Sequence, residues 1–395
     1  MPFRFQRILR LLVVLAFALL TSCAQRAFDN PPQPLAWREG NALTTLPNGR
    51  NFYPAMLREL SKAKQSITFE AFAYVDSPIA TKITTILQQK ALQGIPVHLI
   101  LDDIGSKNLK KSHRKALRSA GVDLRIYHPF TILRPGRTNN RTHRKILIID
   151  GKTAFTGGAG IAWSWEHDWR DTAYRLTGPA VADLQHTFTE NWQELTGEKL
   201  TGPRYFPPLR PVGTKKVAVV ADSPSTPGTP LATAFYQTIA RAQKTLFFQQ
   251  AYFVPSPRFR RAILEAKKRG VRIVVLLSGP NIDSKVTRHA SQNFWRQYLN
   301  AEIELYQYNG KMMHHRLVIA DGRDVIVGSG NLDDRAFFIN DEANLHIRDR
   351  AFAREQEQAF FQDLQTATRL TKTTLKNHLA PWWKRWPAQI MESQL

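Results

Sequence analysis

The residues best suited to chemistry in this chain form one motif that occurs twice. The first copy consists of His143, Lys145 and Asp150, and the second, 171 residues further along, of His314, Arg316 and Asp321. Each copy continues into Asp-Gly and then into a glycine-rich stretch. Two histidines from two similar segments suggest one shared active site, in which one imidazole attacks and the other transfers a proton.

A histidine beside a fixed cation suits attack on phosphorus. Imidazole can form a covalent phospho-intermediate, which divides one difficult displacement into two easier ones. Cationic, hydroxyl and amide side chains can then stabilise charge on the non-bridging oxygens. This chemistry requires no metal ion, and the sequence has no other His, Asp or Glu cluster at metal-ligand spacing. Neither a metal nor another cofactor is therefore expected.

The segments after the two motifs also correspond. The positions that could support the histidines or contact a phosphate are Gly158, Asp171, Ser329, Asn331 and Glu342. The two carboxylates follow their motif histidines by the same 28 residues. This register suggests that each carboxylate holds an imidazole in one tautomer and stabilises its charged form.

β-Hairpins are the elements that would position these residues. Apolar runs over 145–149 and 316–320 end in Asp-Gly before further β-rich runs, which is a strong hairpin signal. On a strand, each histidine shares a face with the cation two residues later. Asp150 and Asp321 have the opposite parity, so within the candidate catalytic set we expect them to fix the turn.

Helical and strand patterns recur in the same order in two halves. Helices over 79–93 and 258–269 precede strands over 97–101 and 271–277. Alternating helices and strands predict an α/β sheet in each half. A long unit present only twice indicates a duplication.

The first 23 residues predict export. Three arginines precede an apolar run over 11–20, which is too short to span a bilayer. Leu20-Thr-Ser-Cys23 resembles a bacterial lipobox, and an ordinary secretory signal with a chance cysteine is the alternative. We therefore expect a lipoprotein signal peptide over 1–22, lipidation of Cys23, and a protein anchored in the bacterial cell envelope.

Composition divides the rest of the chain into five segments. They are a tether (23–50), a first half (51–200), a Pro-rich connector holding a short strand (201–230), a second half (231–380) and a Trp-rich basic tail (381–395). Tryptophan beside Lys and Arg is typical of anchors at headgroup level. Packing of these indoles on the domain is the alternative.

Charge narrows the choice of partner. The formal net charge is +23, which favours an anionic partner, either nucleic acid or an anionic membrane. An export signal argues against nucleic acid. Cys23 is the only cysteine, so an internal disulfide is excluded.

These features resemble the phospholipase D superfamily and its cardiolipin synthase-like branch, from about residue 52 to about residue 370. The resemblance rests on segments 141–145, 157–158, 169–172, 252–255 and 328–333, with Glu342. It implies two pseudo-symmetric α/β halves, each a mixed sheet flanked by helices, with the active site at their interface. It also implies metal-independent phosphodiester cleavage or phosphatidyl transfer. By resemblance His143 is the nucleophile and His314 the general acid and base, but the sequence itself does not fix which histidine attacks first.

Two positions depart from the pattern of that family. Arg316 stands where the family has Lys, and Arg presents a broader planar fork. Gly160 stands where the family has Asn, which removes a hydrogen-bond donor from the first half.

The leading hypothesis is a membrane-associated phosphatidyltransferase that makes cardiolipin or a related lipid from a phosphatidylglycerol-like phospholipid. The same intermediate attacked by water would give a phospholipase D that releases phosphatidic acid. A phosphodiesterase or nuclease, and a catalytically weakened phospholipid-binding protein, are the remaining alternatives. The sequence does not give the oligomeric state.

Overall fold

The computed structural model describes residues 34–395, apart from Ile132, Arg134 and Pro227. The predicted signal peptide, Cys23 and the first part of the predicted tether lie outside the described residues. Within those that are described, no helix combines the length and apolar character needed to cross a bilayer.

The first half alternates strands and helices, as predicted. Its strands are β1 (Trp37–Pro47), β2 (Ile67–Ala71), β3 (Val97–Asp102), β4 (Asp123–Tyr127), β5 (Lys145–Ile149), β6 (Thr153–Gly157), β7 (Trp169–Arg170) and β8 (Thr172–Thr177). Its helices are α1 (Gly49–Lys62), α2 (Pro78–Leu92), α3 (Lys111–Ser119), α4 (Pro135–Asn139), α5 (Trp163–His167) and α6 (Val181–Thr196).

The second half, taken together with the connector before it and the tail after it, repeats this order. Its strands are β9 (Lys215–Asp222), β10 (Thr245–Gln250), β11 (Phe253–Val254), β12 (Arg272–Leu277), β13 (Glu304–Tyr308), β14 (Met312–Met313), β15 (Leu317–Ala320), β16 (Asp324–Gly328), β17 (Leu332–Asp333), β18 (Glu342–Arg348) and β19 (Ala367–Leu370). Its helices are α7 (Pro230–Arg241), α8 (Pro257–Lys268), α9 (Lys285–Ser291), α10 (Trp295–Asn300), α11 (Asp334–Phe338), α12 (Arg350–Gln365), α13 (Leu375–His378) and α14 (Trp382–Ile390), followed by a 3₁₀ turn (Glu392–Gln394).

Fifteen of the described strands form one mixed sheet that runs through both halves. In the first half β2, β3 and β4 are parallel, and β5, β6 and β8 continue the sheet antiparallel. In the second half β10, β12 and β13 are parallel, and β15, β16 and β18 are antiparallel. The predicted α/β fold of two pseudo-symmetric halves is confirmed.

Strands from the predicted tether and connector join the two halves. β1 pairs with β8 on one side and with β9 on the other, and β9 pairs with β18. The tether predicted over 23–50 is therefore wrong from Trp37 onward. Its polar residues belong to a half-buried strand, and the buried Asn41 side chain bonds to Arg38, Ala180 and Lys215.

The core lies on both faces of the sheet, which explains why the motif strands read as continuous apolar runs. On β5, Leu147 and Ile149 pack into the core of the first half. Ile146 and Ile148 face the opposite way, into a core that includes side chains of both halves and of α6 and α12. A strand buried on both faces keeps apolar residues at every position, so the hairpins carrying the motifs are held rigidly.

Candidate active site

The predicted Asp-Gly hairpins form in both halves. β5 returns through β6, and β15 returns through β16. At the two turns φ is positive at both central residues, 55° and 62° at Asp150-Gly151 and 53° and 60° at Asp321-Gly322. This is the backbone of a type I′ turn, which Asp-Gly favours.

The motif aspartates lie at the far end of each strand from the histidines. Asp150 accepts the backbone N–H groups of Lys64, Gln65 and Ser66 at 2.7–3.1 Å. Asp321 accepts those of Gln243, Lys244 and Thr245 at 2.7–3.2 Å. The prediction that placed Asp150 and Asp321 in the catalytic set is therefore corrected. Each aspartate holds its turn against the start of the neighbouring strand.

Each motif histidine is held at its backbone by the opposite half. The His143 N–H donates to the Asp341 carbonyl at 2.9 Å, and the His314 N–H donates to the Arg170 carbonyl at 2.7 Å. In addition, β7 of the first half pairs with β14 of the second. Backbone hydrogen bonds thus bring both motifs to one interface.

The predicted carboxylate partners are crossed between the halves. His143 Nδ1 lies 2.8 Å from Glu342 Oε1, and His314 Nδ1 lies 2.8 Å from Asp171 Oδ2. Both carboxylates are fully buried. Because a carboxylate only accepts, each Nδ1 carries the proton and each Nε2 keeps a lone pair. The lone pair of His143 Nε2 is open to a substrate, and that of His314 Nε2 lies 3.2 Å from Arg316 Nη1.

Burial keeps both imidazoles neutral. It lowers the pKa of His143 to about 3, against the attraction of its carboxylate partner and with a further lowering by Lys145 and Arg316. Burial, together with Arg316, lowers the pKa of His314 to about 4. A neutral imidazole is the form that can attack phosphorus.

The carboxylates remain ionised despite their burial. Burial alone would raise the pKa of Asp171, but the hydrogen bond and charge of His314 and the charge of Arg316 bring it well below its usual value. The pKa of Glu342 is likewise lowered overall, because His143 and Lys145 outweigh its burial. Each anion can therefore stabilise positive charge on its imidazole.

Two buried cations complete the centre. Lys145 Nζ donates to the His143 carbonyl at 2.6 Å and lies 5.4 Å from the Phe72 ring, which also contacts the His143 ring. Burial and then Arg316 lower the pKa of Lys145 well below its usual value. Burial and Arg316 thus disfavour the charged form of Lys145, and a bound anion would favour that form, so the centre is suited to bind phosphate.

Arg316 supplies the free donor. Its Nε donates to Asn331 Oδ1 at 2.9 Å and its Nη1 to the His314 carbonyl at 2.6 Å. Nη1 also lies 2.7 Å from His314 Nδ1. This is a close contact and not a second hydrogen bond, because Nδ1 already carries the proton that it donates to Asp171. Nη2 is buried and finds no acceptor in the described part of the chain.

Different donors support the two carboxylates. Ser329 Oγ donates to Glu342 Oε2 at 2.5 Å. Gly158 occupies the matching position in the first half, where an added Cβ would lie 2.6 Å from Asp171 Oδ1. There the indole Nε1–H of Trp165 donates instead, to Asp171 Oδ2 at 2.9 Å.

Trp165 also explains Gly160. A Cβ at Gly160 would lie 2.8 Å from the Ala73 Cβ and 3.1 Å from the Trp165 ring. The asparagine that the resemblance implies at this position has no room, because Ala73 and the indole together fill the space. Sequence reasoning missed Trp165, for which the only signal was the glycine itself.

Aromatic rings line the His314 side of the centre. Trp165 and Trp169 have ring centroids 5.0 Å from the His314 ring, and Tyr252 lies 6.4 Å away. Trp169 and Tyr252 belong to segments that carried the family resemblance, which gave them no role. Across the described residues, no group of three or more His, Cys, Asp or Glu side chains could hold a metal ion.

Comparison with known proteins identifies the family. The sequence profile of the family described as cardiolipin synthase, PLD-like domain, matches residues 56–192 and 235–364. The chain is 32% identical over 340 residues to the probable cardiolipin synthase YwiE of Bacillus subtilis, covering 83% of this chain and 67% of that protein. It is 32% identical over 339 residues to a cardiolipin synthase of Clostridium perfringens, covering 82% and 70%.

Solved structures show the same fold. Phosphatidylserine synthase of Haemophilus influenzae superposes with a TM-score of 0.67 over 95% of this chain and all of that chain, at 14% identity. Polyphosphate kinase of Porphyromonas gingivalis superposes with a TM-score of 0.58 over 84% of this chain and 49% of that chain, also at 14% identity. With its two crossed His-carboxylate pairs and its match to the family over both halves, the chain belongs to the cardiolipin synthase-like family of the phospholipase D superfamily of enzymes.

Proposed function

We propose that the protein is a membrane-associated phosphatidyltransferase of the cardiolipin synthase type, acting on a phosphatidylglycerol-like phospholipid through a phosphohistidine. The observation that carries the proposal is the pair of neutral imidazoles, each held by a carboxylate of the opposite half beside Lys145 and Arg316. The predicted lipobox at Cys23 and the net charge of +23 support membrane association and a place in the cell envelope.

The first step forms the intermediate. Nε2 of His143 attacks the phosphorus, the N–P bond forms and the P–O bond to the glycerol headgroup breaks. The phosphate anion favours the protonated form of His314, which donates its proton to the leaving oxygen. Lys145 and the free Nη2 of Arg316 balance charge on the non-bridging oxygens.

The second step reverses the roles of base and acid. Neutral His314 removes the proton from a hydroxyl of a second phosphatidylglycerol, and that oxygen attacks phosphorus as the N–P bond breaks. Cardiolipin leaves and His143 is restored. With water as acceptor, the same step yields phosphatidic acid.

Product analysis separates transfer from hydrolysis. Purified protein in phosphatidylglycerol vesicles should form cardiolipin detectable by mass spectrometry, whereas phosphatidic acid alone would identify a phospholipase D. Lipid labelled at phosphorus should leave acid-labile label on the protein. His143→Ala should abolish both signals, and His186→Ala, a change at an exposed histidine on α6, should leave both unchanged. Turnover surviving His143→Ala would overturn the proposed nucleophile.

A further inference from the structure

Helix α14 leaves three indoles in solvent. Trp382, Trp383 and Trp386 are 68%, 58% and 61% exposed. Trp382 and Trp386 are four residues apart and therefore share one helix face. A cluster of exposed large apolar side chains on a protein surface marks a contact with a partner or a membrane.

The helix is fixed to the domain through its other face. Ala388 is buried against Val254 of β11 and Ala290 of α9. Asn293 Nδ2 donates to the Arg385 carbonyl at 3.2 Å. The indoles are thus held outward on a docked helix, and the alternative that they pack on the domain does not apply.

This surface borders the active site. α9 follows β12 at the carboxyl end of a parallel strand, the edge of the sheet from which the His314 motif strand begins. α9 packs on β11 as well as on α14. Next to β11, the Tyr252 ring lies 5.9 Å from the guanidinium of Arg316.

Exposed apolar side chains also lie at this edge in the first half. Phe130 and Leu133 are 68% and 86% exposed and follow the carboxyl end of β4. Asn139, a few residues later, donates to Gln394 beyond α14. The two halves therefore present apolar side chains on the same side of the molecule.

Positive charge accompanies the indoles. Lys384 lies between the tryptophans, and the exposed Lys285 lies on α9 beside the exposed Val286. Burial lowers the pKa of His289, and Lys384, Arg288 and Lys285 lower it further, so each of these cations lies near His289. Asp283, a carboxylate near these cations, accepts a hydrogen bond from the Tyr252 hydroxyl at 2.7 Å.

We propose that the tryptophan face, defined as Val286, Trp382, Trp383 and Trp386 with Lys285 and Lys384, docks on the headgroup layer of an anionic bilayer and sets the active site over its lipid. Interfacial tryptophan with flanking lysine matches that layer in polarity and charge. The inference rests on the proposed function for the identity of the lipid, but docking itself requires no turnover.

Quenching by brominated lipids tests the location of the face. The full chain is reconstituted into phosphatidylglycerol vesicles with brominated acyl chains, and tryptophan emission is recorded. The triple variant W382F/W383F/W386F should lose most of the quenching seen in the wild type. Trp37→Phe is the control, because Trp37 lines a cavity at the opposite edge of the sheet with Asp321, and it should lose none.

Charge reversal tests whether an anionic bilayer is what binds the tryptophan face. Lys285→Glu/Lys384→Glu, with all tryptophans retained, should reduce quenching in phosphatidylglycerol vesicles and leave it unchanged in phosphatidylcholine vesicles. Equal quenching of the wild type and the triple variant would overturn the proposal. So would a concentration-dependent blue shift and doubling of mass by light scattering without lipid, which would identify a second copy as the occupant.

The two proposals fail separately. His143→Ala should be quenched like the wild type, because docking precedes chemistry. Quenching of the wild type without product would contradict the proposed function and leave the docking proposal standing. Product without quenching would contradict the docking proposal and leave the proposed function standing.

Discussion

At the scale of single residues, Trp165 does in the first half what Ser329 does in the second, because each donates a hydrogen bond to the carboxylate of its half. Its N–H holds Asp171, and Asp171 holds His314. Trp165→Phe keeps the ring and removes only that donor. A hydrogen bond to a charged group contributes about 1.5–3 kcal/mol, so we expect kcat to fall by roughly tenfold or more.

The pH profile separates this positioning role from a general loss of stability. Without the indole donor, the pKa of Asp171 should rise, and the acidic limb of the kcat profile should move to higher pH. Trp163→Phe is the matched control, since Trp163 lies on the same helix with its side chain half exposed. An unchanged profile in Trp165→Phe with an equal loss of thermal stability would leave Trp165 a packing residue only.

His315, between the motif residues His314 and Arg316, makes a pH-dependent contribution to stability. Burial, with Arg170, lowers its pKa to about 3, and its Nε2 pairs with the Tyr174 hydroxyl. The unfolded chain takes up a proton below about pH 6.5 and the folded protein does not, so folded stability is complete above about 6.5 and is lost toward pH 3. The loss is up to about 1.4 kcal/mol per pH unit.

Urea denaturation at pH 7 and pH 5 measures this contribution. The gap in unfolding free energy between wild type and His315→Gln should narrow at the lower pH. His186→Gln, at an exposed position of α6, should show no such narrowing. A gap that stays constant or widens toward pH 5 would mean that His315 is not held neutral.

At the scale of elements, the Asp-Gly turns connect each motif strand to the start of its neighbour. Asp150→Asn and Asp321→Asn keep an acceptor and tolerate positive φ, so we expect small losses of stability and near-normal turnover. Alanine at either position removes hydrogen bonds to three backbone N–H groups and should cost about 1.5–3 kcal/mol or more. Thermal melts and initial rates on the same samples check both statements; Asn variants that melt normally but lose turnover would restore the aspartates to a catalytic role.

Hairpins and alternating elements could be predicted from the sequence because their signals are local. Asp-Gly between apolar runs selects one turn type, and strand parity follows from the pleat. β1 could not be predicted, because its polar residues gain pairing only from β8 and β9, which lie far along the chain. Its stability comes from those long-range partners and not from its own composition.

The candidate site likewise has features that could be predicted from the sequence and features that could not. The equal offsets of Asp171 and Glu342 identified both carboxylates as partners of the histidines. The crossing of the pairs depends on how the halves meet, which no local pattern records. The role of Trp165 could not be predicted for a related reason, since an indole can act as the donor in place of a serine only where the fold brings it to the carboxylate.

At the scale of the whole molecule, the crossed His–carboxylate pairs make each half incomplete by itself. His143 of the first half depends on Glu342 of the second, and His314 of the second depends on Asp171 of the first. The backbone hydrogen bonds that the Asp341 and Arg170 carbonyls accept from the two histidines reinforce the same dependence. A change in one half should therefore impair the histidine of the other.

A substrate with a nitrophenolate leaving group can distinguish the roles of the two His–carboxylate pairs, because nitrophenolate departs without a proton. Glu342→Gln should slow the burst of nitrophenol by on the order of 10²–10⁴-fold, since the attacking imidazole loses the anion that stabilises its positive charge. Asp171→Asn should leave the burst nearly intact and slow only turnover of phosphatidylglycerol, whose alkoxide needs the proton from His314. Stopped-flow absorbance measures the burst and mass spectrometry the lipid product. If Asp171→Asn abolished the burst and Glu342→Gln spared it, His314 would be the nucleophile, and the roles of the two halves would be exchanged.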